Sequence, residues 1–264
     1  MSSERLDGVL SVEGVTLNFS GNRALDDVSF DLRRGELLGI IGPNGAGKTS
    51  MLNCINGIVR PQKGRVMFGD VDLLRQKPHR IVRLGIARTF QGVSLQPNAT
   101  VAENILFGRD FKMRYGLLAA TVYVGRAQNE EARHRGKVEE ILEFLEIQRF
   151  RDTRAGDMPW GQQKLVEIGR ALAAEPELLL LDEPTSGMTR EEKEDVASYI
   201  VRMRSELGIS QILIEHDAPF VGDLSDRMIA LDYGKVIAAG TPDEVLGDAH
   251  VATAYLGVPV EAGG

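Results

Sequence analysis

Eight consecutive residues have the types and spacing to hold a polyphosphate: Gly42-Pro43-Asn44-Gly45-Ala46-Gly47-Lys48-Thr49, with Ser50 next. They lie between an apolar run ending at Ile41 and a stretch carrying Met51, Leu52 and Ile55 at helical spacing. A group with several negative charges needs many donors at close range. Glycines let the backbone wrap with its N–H groups inward, and the start of the following helix adds partial positive charge. Lys48 is expected to reach the β- and γ-phosphates, and Thr49 to place its hydroxyl on Mg²⁺. A glycine-rich turn that binds nothing is the competing reading, and the strand–loop–helix context argues against it. A second constellation follows the apolar run Leu178–Leu181, where Asp182 and Glu183 stand side by side. Open α/β sheets bind ligands at the carboxyl ends of their strands. Asp182 is thus the candidate Mg²⁺ carboxylate, and Glu183 the candidate group to orient or deprotonate an attacking water. Two solvated acids would be the better reading without the upstream cradle.

The elements that must position these groups are legible from periodicity. Short strands are expected at Val9–Val12, Val15–Phe19, Val28–Leu32, Glu36–Ile41 and Arg65–Phe68, separated by Gly, Asn and Asp. From about Gln91 to Trp160 the pattern turns helical, with Val138, Ile141, Leu142 and Leu145 on one face. A helix from Trp160 should stop before Pro176. The uniformly apolar run Leu178–Leu181 reads as a strand buried on both faces, as does Gln211–Glu215 after a helix over roughly Arg190–Leu207. Arg227–Leu231 and Lys235–Ala239 flank Asp232-Tyr233-Gly234 as a hairpin. Thr241-Pro242-Asp243-Glu244 then reads as a helix start with a capping box. Strands alternating with helices predict an α/β core, interrupted by an inserted helical block.

Composition removes several classes. In the 264 residues no apolar run reaches the length needed to span a bilayer, and Met-Ser-Ser-Glu-Arg carries no apolar signal core. A membrane role is therefore expected to come through a partner. The net charge of −7 does not advertise nucleic-acid binding. The lone cysteine, Cys54, excludes an intrachain disulfide and reads as packing in a helix.

The two constellations define only a phosphate-loop nucleoside triphosphatase. Further stretches, in matching order over nearly the whole chain, resemble the ABC ATPases. Gln91, in Arg88-Thr89-Phe90-Gln91, resembles the glutamine that contacts Mg²⁺ and the attacking water. Trp160-Gly161-Gln162-Gln163 resembles the family signature, Pro184-Thr185-Ser186-Gly187-Met188 the D-loop, and His216 the switch histidine at the γ-phosphate. Phe19 lies where the family sets an aromatic against adenine. The resemblance implies a RecA-like core with an N-terminal antiparallel β subdomain and a helical subdomain inserted at about 92–165. The ATP-binding domain would run over 8–257, with a tail at 258–264. It also implies that two such domains pair head to tail, so that Trp160, Gly161 and Gln162 face the ATP held by the partner. Two departures stand out: Pro159 replaces the signature serine, and Thr189 the D-loop's closing aspartate.

Within the family, Arg88–Leu95, Trp160–Ile168, Ile212–Asp217 and Tyr255-Leu256-Gly257 are most similar to ATP-binding subunits of branched-chain and related hydrophobic amino-acid importers. So is an enlarged segment at about Phe107–Arg135. The resemblance implies an ATP- and Mg²⁺-dependent motor held peripherally on the cytoplasmic membrane face. Its expected company is a pair of permease subunits, a sister ATPase or second copy of itself, and, indirectly, an external solute-binding protein; no nucleic acid is expected. Phe111–Val124, mixing Lys112 and Arg114 with aromatics, is a candidate surface for the permease or simply a solvated helical hairpin. A soluble ABC ATPase of the iron–sulfur assembly type is the alternative. A GTPase lacks its guanine-reading Asn-Lys-x-Asp here, and a small-molecule kinase leaves the signature and His216 unexplained.

Overall fold

The computed structural model describes residues 8–19, 21–89, 94–112 and 126–256. They form two compact units: the first takes in residues up to Arg88 together with Glu177–Pro184 and those from Ile200 onward, the second Thr89–Pro176 and Thr185–Tyr199.

The first unit carries both sheets. β1 (Gly8–Phe19), β2 (Asn22–Arg33), β4 (Lys63–Phe68) and β5 (Val71–Asp72) make an antiparallel sheet in the order β2-β1-β4-β5. The two short strands expected over Val9–Phe19 are one strand. Its register slips between Val12 and Val15, where Gly14 adopts φ 60°, so the ladder bends there without ending. β2 likewise begins earlier than Val28 and passes an irregularity at Asp27, φ 57°.

The second sheet runs β10-β9-β3-β8-β7-β6, from β3 (Leu37–Ile41), β6 (Ile86–Arg88), β7 (Leu178–Asp182), β8 (Ser210–Ile214), β9 (Arg227–Asp232) and β10 (Lys235–Gly240). All pairings are parallel except β9 with β10. Strands β3, β7 and β8 are buried at every residue, which accounts for their unbroken apolar reading. Around them pack α1 (Lys48–Ile55), α2 (Pro78–Arg83), α7 (Ala218–Leu224), α8 (Pro242–Leu246) and α9 (Ala249–Leu256). Cys54 lies fully buried in this core, and burial pushes its thiol up to about 12, so it packs as an inert small apolar group.

The second unit is helical: α3 (Val101–Phe107), α4 (Arg126–Phe144), α5 (Trp160–Ala173) and the first part of α6 (Arg190–Ser205). α3, α4 and α5 pack on one another. Arg109, fully buried, ties them by donating to His134 Nδ1 and to the Ala173 carbonyl. α3 opens with a capping box between Thr100 and Glu103. Among the described residues no helix is long and apolar enough to cross a membrane. Most of the candidate permease surface at Phe111–Val124, and Gly257 with the tail, lie outside the described residues.

Candidate functional site

Three parallel strands aim their carboxyl ends the same way. β3 runs into the glycine-rich loop, β8 into Glu215 and His216, and β7 ends on Asp182 and Glu183, with β8 lying between the other two. The loop closes onto α1 through φ values that only glycine adopts freely. Gly42 stands at φ 148°, where a Cβ would lie 2.2 Å from the Leu231 carbonyl; Gly47 stands at 107°, where one would lie 2.6 Å from the Ala24 carbonyl. A side chain at either point would force the wrap open.

Lys48, the first residue of α1, is only 6% exposed. Its ammonium donates to the Gly42 carbonyl at 2.6 Å and the Pro43 carbonyl at 3.1 Å, arching back over the loop. Burial presses its pKa below the ordinary lysine value, opposed by the charges of Glu183 and Asp182. Arriving phosphate oxygens would meet an ammonium whose loss of water is already compensated by carbonyls. Thr49, by contrast, is exposed at the first turn of α1.

Asp182 is 1% exposed, and Arg88 of β6 donates to its Oδ2 at 2.7 Å. The same guanidinium donates to Asn53 Oδ1 of α1 at 2.7 Å. Arg88 thus braces the helix behind the cradle against the acidic strand end. In the sequence Arg88 stands out only as the first residue of the stretch Arg88–Leu95. The available signal was an arginine at the end of an apolar strand, where a buried charge must have a partner. Glu183 is buried at φ 50°, a costly conformation for a side-chain-bearing residue, and its N–H donates to the Ile214 carbonyl at 2.9 Å. His216 Nε2 lies 2.7 Å from Glu183 Oε1. Asp217, next along, caps α7 by accepting from the Phe220 N–H and so fixes the chain beyond the histidine. A carboxylate and an imidazole in contact at the end of a buried sheet can share and pass on a proton.

The first unit therefore brings together Gly42–Ser50, Asp182, Glu183 and His216. Phe19 ends β1 of the same unit, 46% exposed, close to the strand segment that flanks Gly47. Gln91 lies outside the described residues.

In the second unit, Trp160, Gly161 and Gln162 form the first turn of α5, with Pro159 as its N-cap at φ −55°. A cap residue needs no helical N–H of its own, so proline fits there. The Trp160 indole donates to the Ser186 carbonyl at 3.1 Å, joining the first turn of α5 to the segment Pro184–Met188. Gly161 is packed so closely that a Cβ would sit 2.2 Å from Glu192 Oε1. Thr189, the other departure, makes a reciprocal pair with Glu192: its N–H donates to the carboxylate at 2.8 Å, and the Glu192 N–H to its hydroxyl at 3.3 Å. It opens α6 as half of a capping box.

A glycine-rich phosphate loop on a buried parallel strand, with adjacent carboxylates two strands away, defines a phosphate-loop nucleoside triphosphatase. The ABC transporter family matches residues 25–186, and the branched-chain amino acid ATP-binding cassette transporter family matches residues 235–261. The chain is 32% identical to the high-affinity branched-chain amino acid transport ATP-binding protein BraF of Pseudomonas aeruginosa, over 94% of this chain and 98% of the relative. It superposes with a TM-score of 0.82 on an ATP-binding cassette of an ABC transporter in its ADP conformation, 33% identical, over 95% of this chain and 99% of that one. A bacterial ABC transporter cassette of dimeric structure gives 0.75 at 25% identity, over 88% and 98%. The chain belongs to the ABC transporter family, as one of its ATP-binding cassettes.

Proposed function

We propose that this chain is the ATP-hydrolysing motor of an importer for branched-chain or related amino acids, paired with a second cassette beneath membrane permeases. The observation that carries the hydrolytic reading is the contact between Glu183 Oε1 and His216 Nε2 at the strand end that also carries Asp182. The substrate class rests on the relatives, which are transport proteins for branched-chain amino acids, and on the C-terminal match at 235–261. Those relatives do not favour the soluble iron–sulfur assembly alternative.

In this reading the loop amides and Lys48 bind the β- and γ-phosphates of ATP, and Phe19 stacks on the base. Glu183 holds the attacking water and takes its proton, while His216 orients Glu183 and bonds the γ-phosphate. The residues present suit Mg²⁺: the Thr49 hydroxyl and the Asp182 carboxylate are hard oxygen donors, and Gln91 would complete the set. Among the described residues no His, Cys, Asp and Glu cluster forms a metal cage, as fits an ion held mostly by phosphate and water. That ion would supply charge neutralisation on the phosphate oxygens. Trp160, Gly161 and Gln162 would meet the ATP of the paired cassette, with the Trp160 indole fixing the signature against its own D-loop.

The test is phosphate release and ATP binding, with Mg²⁺, for wild type and Glu183→Gln. The variant should bind ATP as wild type does and release phosphate about 10²–10⁴-fold more slowly. Turnover at the wild-type rate would remove Glu183 from the chemistry. Uptake of labelled leucine against urea, in vesicles holding the permeases, would decide the solute.

A further inference from the structure

The C-terminal helix reaches the phosphate loop. On α9, Val251 is buried and Tyr255 stands one turn later on the same face. The helix lies beside β10 and α8. From that anchored position the Tyr255 hydroxyl accepts the Gly42 N–H at 2.8 Å. Burial holds the phenol above its ordinary pKa, opposed by this bond, so the oxygen stays neutral.

Gly42 is the first residue of the cradle and is gripped at both ends. Its N–H goes to Tyr255 and its carbonyl takes the Lys48 ammonium at 2.6 Å. Between those bonds it holds φ 148°, against the Leu231 carbonyl. The glycine could turn freely otherwise, because no side chain restricts it. We propose that Tyr255 is a positioning residue for ATP binding: its hydroxyl fixes Gly42, and through Gly42 the resting place of Lys48. The C-terminal segment would thereby set how ready the loop is to receive phosphate. This rests on reading Gly42–Ser50 as the ATP cradle.

Tyr255→Phe removes one oxygen and keeps the ring. Equilibrium binding of a fluorescent ATP analogue, steady-state phosphate release and thermal melting without nucleotide should be measured for wild type and variant. The expected result is a dissociation constant and KM for ATP raised about fivefold, the scale of one neutral hydrogen bond, with kcat at saturation within twofold. Val251→Ala, which loosens α9 and leaves the hydroxyl in place, should weaken binding in the same direction. A lower melting temperature with unchanged ATP affinity at 20 °C below it would make the bond structural only and overturn the inference. Failure of wild type to bind the analogue would overturn the cradle reading, and this inference with it.

Discussion

Arg88 carries more of this site than its place in the sequence suggests. Its guanidinium and the Asp182 carboxylate are both almost wholly buried, at 4% and 1% exposure. Removing one partner of such a pair is far more damaging than replacing both, because the remaining charge has lost the interaction that offset its desolvation. Arg88→Met should therefore destabilise the protein by about 3–5 kcal/mol in urea denaturation. Adding Asp182→Asn should restore part of that loss, since the neutral amide no longer needs a cation. Additive losses in the double variant would show that the two side chains are not coupled. The arginine was visible in the sequence; its partner was not, because nothing local links β6 to the end of β7.

Among the elements, α5 and α6 open at Pro159 and Thr189, the two positions that differ from what the resemblance led one to expect, and the two helix starts are built differently. Proline at the N-cap of α5 forfeits a backbone donor that the position does not use, but also the serine hydroxyl, so α5 opens with no side-chain cap. Threonine at the head of α6 exchanges bonds with Glu192. Thr189→Ala should lower stability by about 1 kcal/mol, read as a shifted urea midpoint with unchanged slope. No change would mean that the Glu192 carboxylate alone holds that turn. The sequence places a helix from Trp160 to before Pro176 and another over roughly Arg190–Leu207, where α5 and α6 lie. It divided β1 into two strands, because Gly14 looks like a terminator when the bulge it permits in fact lets the ladder continue.

For the whole molecule, ligand linkage offers a direct check. A ligand that binds only the folded chain stabilises it by RT ln(1 + [L]/Kd), about 2.7 kcal/mol at a hundredfold excess over Kd. ATP should thus raise the melting temperature by several degrees, and Lys48→Ala should abolish most of the rise while leaving the nucleotide-free midpoint within a few degrees. An equal rise in the variant would place the bound nucleotide elsewhere. Among the described residues no helix is long and apolar enough to cross a membrane.

The sequence by itself determined the groups whose partners are close along the chain. The glycine-rich loop, the adjacent carboxylates and the capping box at Thr241 are contiguous patterns, in which spacing alone dictates geometry. Tertiary structure decided which distant residues complete them. Arg88 reaches Asp182 across 94 residues, and Gly42 reaches Tyr255 across 213. No periodicity encodes such pairs, because each depends on how strands are ordered in the sheet and where the last helix docks. A local pattern states what a residue can do; only packing states what it faces.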